Sequence, residues 1–217
     1  MAANVIVFTY EVLIGQMQRS QQWGEFVYTF GAIPADVVRV IFRPGEWFAY
    51  GPPGPIGTLF TSMFVHGGFG HLAGNMLFLY IFGDNVEDEI GHVRFLIFYL
   101  VCGLAGALVH IALGAHSTIP MVGASGAISG VMGAYILLYP RSRVLTLVFF
   151  FFITVIEIPA YWFLAIWFFF QFMGGMNSVG GSQGGVAFWA HVGGFLAGMW
   201  LIRQWTLRFR RFQRNRE

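Results

Sequence analysis

A serine hydroxyl set among small residues, Gly123-Ala124-Ser125-Gly126, heads an apolar stretch running from Ala127 to Tyr139. A serine so placed can cap a helix, pack against a neighbouring helix or attack a carbonyl. Attack needs a base, because a free serine hydroxyl is a poor nucleophile. His191, in a second apolar stretch, can take the Ser125 proton and return it to a leaving amine. A carbonyl under attack develops an oxyanion, which needs donors aimed at it. Asn75 offers an amide N–H and His71 a ring N–H; four residues apart, they share a helix face. The backbone N–H of Ser125, at a helix start, lacks a partner within the helix and is a third donor. No Asp or Glu falls where it would complete a triad, so the expected chemistry is a Ser125–His191 dyad with ring packing to orient the imidazole. No metal and no cofactor is called for. A zinc hydrolase would want His-Glu-x-x-His, and no histidine here is followed by Glu. An aspartyl dyad would need two aspartates within the apolar segments, and only Asp84 lies near the end of one.

These residues lie far apart in the chain, so helices must bring them together. His191, Gly194 and Gly198 fall on one helix face, and Gly126, Gly130 and Gly133 give the stretch after Ser125 a similarly small surface. Small residues let helices approach closely. The two stretches are therefore expected to touch through Gly126, Gly130, Gly194 and Gly198, which sets Ser125 beside His191.

The composition says what surrounds these helices. Of 217 residues, 57% are hydrophobic and 10% charged, and mean hydropathy is +0.66; a soluble domain is about 25% charged. The expectation is an all-α, multi-pass membrane protein with one domain over residues 1–217. Six spans are read, at about 2–16, 58–83, 93–114, 125–139, 159–173 and 187–205, followed by a basic tail at 206–217. The first is short against the roughly 20 residues of a crossing. The apolar run 144–158, ahead of Pro159, is read as an interfacial lead-in to the fifth. Glu157 within it is read as interfacial, and Asp84, Glu87, Asp88 and Glu89 as a solvated turn. A cleavable leader is not expected, because no basic region precedes the first apolar stretch, which holds Glu11. The lone cysteine, Cys102, sits in an apolar run and reads as a buried inert thiol.

All twelve basic residues are Arg. Six lie in or beside the tail (Arg203, Arg208, Arg210, Arg211, Arg214, Arg216); with six spans, Arg94, Arg141 and Arg143 fall on that same side. Arg19, Arg39 and Arg43 are left on the other. The positive-inside rule then puts both termini in the cytoplasm and the Ser125 end of its helix at the outer side, in a plasma-type membrane. The Gly/Ser-rich loop 174–185 falls on that outer side and reads as a lid. Nothing beyond the tail supports nucleic-acid binding.

His71-Leu72-Ala73-Gly74-Asn75, Gly123-Ala124-Ser125-Gly126 and Ala190-His191-Val192-Gly193-Gly194, in that order, resemble the motifs of the rhomboid intramembrane serine proteases. The likeness extends from Phe64-Val65-His66 to Gly198, takes in Asn75 to Gly83, and includes Glu87 followed by Gly91. Each motif alone is common; all three in order are specific. The resemblance implies a six-helix core, a Ser–His dyad at Ser125 and His191, oxyanion donors at His71, Asn75 and the Ser125 amide, and a water-filled outer cavity. It further implies membrane-protein substrates cut within or beside a transmembrane segment; for a protease of this kind, lateral entry is expected beside span five, which is rich in Phe and Trp. One departure stands out. Many members stack an aromatic residue, four positions after the nucleophile, on the catalytic imidazole; here that position is Ser129.

Two rival readings follow from the same residues. A non-catalytic relative that binds transmembrane helices would keep the fold and could lose the serine or histidine, and both are present. A transporter would show internal repeats, and the halves are not similar. His66 is read as a structural hydrogen-bonding residue of the loop before His71.

Overall fold

The computed structural model describes residues 1–15, 21–149, 153–178 and 186–214. In chain order its helices are α1 (Ala2–Gly15), α2 (Gln21–Phe30), α3 (Pro34–Phe42), α4 (Gly54–Thr61), α5 (Phe69–Ile90), α6 (His92–Leu113), α7 (Ser125–Leu138), α8 (Ala160–Ser178) and α9 (Phe188–Arg214). A 3-10 helix, Pro44–Ala49, precedes α4, and strands β1 (Arg143–Phe149) and β2 (Ile153–Pro159) join α7 to α8.

Helix α7 is the hub. It is apolar all round, and every residue from Gly126 to Tyr135 is buried; a helix without a polar face belongs inside a bundle. It packs most extensively against α9 and α6, then α5, with α8 closing the remaining side chiefly against α9. Phe82, Phe98, Met132, Leu164 and Ile202, one from each of these five helices, are completely buried in the shared core. The outer surface stays apolar: Leu96, Leu108, Phe169, Phe170 and Trp200 are exposed.

Several expected boundaries are corrected. The 58–83 span divides: α4 stops at Thr61, and α5 begins only at Phe69 and runs on to Ile90. A turn at 62–64, an irregular Val65-His66 and bends at Gly67-Gly68 separate them; two adjacent glycines disfavour an unbroken helix. Asp84, Glu87, Asp88 and Glu89 consequently lie on the last helical turns of α5, not in a turn, and Glu87 Oε1 sits 2.7 Å from His92 Nδ1. The 144–158 run, expected as an interfacial lead-in, is instead strand over its described residues. It forms an antiparallel hairpin with register Leu145↔Glu157 and Leu147↔Val155, so the expected all-α class gives way to a mainly helical fold with one hairpin. Its many β-branched residues (Val144, Thr146, Val148, Ile153, Thr154, Val155, Ile156, Ile158) suit a pleated strand. Glu157 pairs with Arg143 at the hairpin base, 3.3 Å apart. Beyond it, α8 continues past 173 to Ser178, so the first five residues of the expected 174–185 loop are helical. Residues 179–185 lie outside the described residues, as do 16–20 and 215–217. Helix α9, at the place of the expected sixth span, continues through most of the 206–217 tail, to Arg214.

Among the described residues, one helix, His92–Leu113, is long and apolar enough to cross a membrane by length and composition. Ala2–Ile14 and Ser125–Leu138 are apolar but shorter. The six-span count is therefore not matched helix for helix.

Candidate functional site

Four chain segments converge at one end of the bundle. Ser125 is the first residue of α7, His191 lies in the first turn of α9, His71 and Asn75 occupy the first two turns of α5, and the segment 121–124 leads into Ser125. That lead-in is held from both sides. Met121 and Ala32 exchange backbone hydrogen bonds of 2.8 and 3.0 Å, and the Gly123 N–H donates to the Ser62 carbonyl at 2.8 Å. Helix α7 therefore starts at a fixed point.

The expected pair is in contact: His191 Nε2 lies 2.7 Å from Ser125 Oγ. The expected glycine packing explains how. A Cβ on Gly194 would strike the Gly126 carbonyl oxygen, and one on Gly198 the Gly130 carbonyl oxygen. Helices α7 and α9 are thus in backbone contact along the face that carries the pair. Gly130 meets the Cys102 side chain in the same way, so Cys102 is a buried packing residue of α6. Gly126 differs, since a Cβ there would find its nearest neighbour at 3.5 Å, an ordinary contact.

His71 and Asn75 face the same point. The Gly67 N–H donates to His71 Nδ1 at 3.2 Å. An imidazole nitrogen that accepts carries no proton, so in the neutral ring Nε2 bears the hydrogen and is the free donor. It lies beside Gly123: a Cβ there would sit 2.7 Å from His71 Nε2 and 3.6 Å from Asn75 Nδ2. Gly123 also has φ +118°, so both space and backbone call for glycine. Asn75 is 8% exposed, and its Nδ2 has no hydrogen-bond partner among the described residues. The Ser125 N–H, at the first position of α7, has no acceptor one turn back. Three donors with nothing to donate to inside their own helices thus lie at the same end of the bundle as the Ser125 hydroxyl. They line a cavity of about 560 Å³ together with Ser125, His191, Trp167 and Met132.

Ser129 does not reach the imidazole. Its hydroxyl donates to the Ser125 carbonyl at 2.6 Å. The aromatic contact comes instead from α8, where the Trp167 ring lies 5.9 Å from the His191 ring, tilted by 35°. One turn on, Gln171 Oε1 is 2.7 Å from His191 Nδ1. Reading the sequence missed both residues. The available signal was Gln171 itself, a lone amide in the apolar run from Tyr161 to Met173. His66 makes a hydrogen bond within the loop before His71, as the sequence suggests. Its amide donates to Glu11 Oε1 at 3.1 Å, its Nδ1–H donates to the Phe64 carbonyl at 3.0 Å, and its ring stands 5.3 Å from that of His71. Among the described residues no group of three His, Cys, Asp or Glu is placed to hold a metal ion.

The class defined by this arrangement is a helical bundle that closes around a serine–histidine pair at its helix ends. The chain belongs to the rhomboid family: the family model for the Rhomboid domain matches residues 53–207. Among curated proteins it is 40% identical over 76 residues to RHOMBOID-like protein 5 of Arabidopsis thaliana, covering 35% of this chain and 25% of that protein. It is 36% identical over 110 residues to Rhomboid protease GluP of Bacillus subtilis, covering 51% of this chain and 18% of that protein. It is also similar, at 38% over 86 residues, to Inactive rhomboid protein 1 of Drosophila melanogaster, covering 40% of this chain and 6% of that protein. The matched segments thus span a quarter or less of the length of each of these relatives.

Proposed function

We propose that the chain is an intramembrane serine endopeptidase that hydrolyses peptide bonds within or next to transmembrane segments of membrane proteins. The observation that carries the reading is the 2.7 Å Ser125–His191 contact beside a buried, unpartnered Asn75 amide. Bare Nε2 of His191 accepts the Ser125 proton as Oγ attacks the scissile carbonyl carbon. The carbonyl oxygen becomes an oxyanion held by His71 Nε2–H, Asn75 Nδ2–H and the Ser125 N–H. His191 returns the proton to the leaving amine, and water then hydrolyses the acyl-serine by the same route. The proposed substrates are transmembrane proteins that enter beside α8, whose outer face of Trp162, Ile166, Phe169 and Phe170 is exposed and apolar. No cofactor takes part.

The proposed setting is a lipid bilayer, with six helices (α1, α5, α6, α7, α8, α9) crossing or part-crossing it, both termini cytoplasmic and the cavity opening outward. Support comes from the apolar surface and from the length of α7. Its 14 residues span about 21 Å at 1.5 Å per residue, against a hydrocarbon core of about 30 Å. A central helix that short sets Ser125 below the membrane surface, where the cavity supplies water.

Replacing Ser125 by Ala is expected to abolish cleavage of a model transmembrane substrate while the protein still folds; cleavage at the wild-type rate would sink the assignment. The rival, a non-catalytic binder of transmembrane helices, draws on the likeness to a relative named inactive. Labelling by a fluorophosphonate probe, lost in His191→Ala, distinguishes the enzyme from the binder.

A further inference from the structure

We propose that Gln171 is a positioning residue for this hydrolysis, its side-chain carbonyl fixing the tautomer and rotation of His191; the inference rests on the Ser125–His191 reading above. The two imidazole nitrogens have different partners. Nδ1 faces Gln171 Oε1 at 2.7 Å, and Nε2 faces Ser125 Oγ at 2.7 Å. A carboxamide oxygen can only accept, so Nδ1 must carry the hydrogen. The neutral ring then leaves Nε2 bare, which is the form a base for Ser125 requires. The Trp167 ring, tilted against the imidazole, restricts its plane but cannot select a tautomer. Gln171 does both.

The contact also strengthens as the reaction proceeds. When His191 takes the serine proton, Nδ1–H becomes a cationic donor, and a charge-assisted hydrogen bond is roughly twice as strong as a neutral one. A neutral amide offers less than the carboxylate of a full triad. The expected effect is therefore well below the roughly 10⁴-fold loss seen when a triad loses its correct tautomer. Gln171 sits on α8, whereas Ser125 and His191 belong to the backbone-packed pair α7 and α9. The base is thus correctly set only while α8 is seated against α9.

The test uses the full chain in proteoliposomes, cutting a model transmembrane substrate, with Ser125→Ala as the reference for zero activity. Gln171→Leu, which keeps the volume but removes the acceptor, is expected to lower kcat about 10- to 100-fold with KM within about twofold, and to slow fluorophosphonate labelling of Ser125 in parallel. Gln171→Glu restores an acceptor and adds a charge. It should recover most of the lost kcat and move the acid limb of the kcat/KM profile to higher pH by about one unit, because a carboxylate stabilises the imidazolium. A Gln171→Leu enzyme with wild-type kcat overturns the inference. So does a Gln171→Glu enzyme that is as slow as the Leu variant with its acid limb unmoved. Either result, with Ser125→Ala inactive, leaves the hydrolase reading standing. A Ser125→Ala enzyme as fast as wild type removes that reading and this inference with it. Should Gln171→Leu fail to fold, the near-isosteric Glu variant alone decides, through the position of its acid limb.

Discussion

Asn75 carries a buried amide hydrogen pair with no acceptor among the described residues. Leaving such a donor unsatisfied costs about 1–3 kcal/mol, so the folded chain holds it ready for a group that arrives later. An oxyanion beside Ser125 is the group proposed. Asn75→Ala is therefore expected to leave stability unchanged or slightly raised while lowering kcat about 100-fold, with little change in KM. Steady-state cleavage set beside thermal unfolding checks this, and a loss confined to stability would mark Asn75 as a packing residue. Its partner donor, His71, depends on the Gly67 amide for its tautomer and on the missing Gly123 side chain for its position. Four residues of this site were legible in the sequence because each sits in a short motif of small and polar residues: Ser125, His191, His71 and Asn75. Gln171 and Trp167 were not, because they stand on an apolar helix where no motif frames them. Ring packing on His191 was anticipated, but its source was sought within α7. Only the three-dimensional crossing of α8 over α9 brings it from Trp167.

At the scale of elements, the small-residue faces told more than the hydropathy. Gly194 and Gly198 form the expected contact face: a Cβ added to either would collide with the Gly126 or Gly130 carbonyl. The contact is asymmetric, and this separates two otherwise similar substitutions. Gly198→Ala places a methyl group against α7 backbone that no side-chain rotation can clear, so it should cost about 1–3 kcal/mol and displace His191 from Ser125. Gly126→Ala meets nothing closer than 3.5 Å and should stay within about 0.5 kcal/mol of wild type. Thermal unfolding in detergent ranks the pair; equal midpoints would remove the close approach of α7 and α9 as the device that sets the dyad. Hydropathy misread two other elements for a physical reason. An apolar run carries no period when every face is apolar, so 144–158 reads as an interfacial lead-in although its β-branched residues favour strands. The 58–83 run likewise hid the break between Thr61 and Phe69, within which the His66 amide reaches Glu11 on α1.

At the scale of the whole molecule, the arginine distribution and the site make linked statements. All the site residues lie at one end of the bundle, the end where α5, α7 and α9 begin. Arg94, Arg141 and Arg143 lie toward the other, where α6 begins and α7 ends. If positive charge is retained in the cytoplasm, the cavity must open outward, and a single measurement tests both. The chain has one cysteine, Cys102, fully buried, so Cys102→Ala gives a background without thiols. On it, His116→Cys reports the site end, because His116 lies exposed between α6 and α7. His92→Cys reports the other, with the His92 side chain 87% exposed at the start of α6. In intact cells a membrane-impermeant maleimide is expected to label the cysteine at 116 at once and the one at 92 only after permeabilisation. The reverse pattern would turn the molecule over and place the proposed hydrolysis on the cytoplasmic side. Equal labelling of both in intact cells would show that the bundle does not separate two compartments, and the membrane setting of the site would have to be given up.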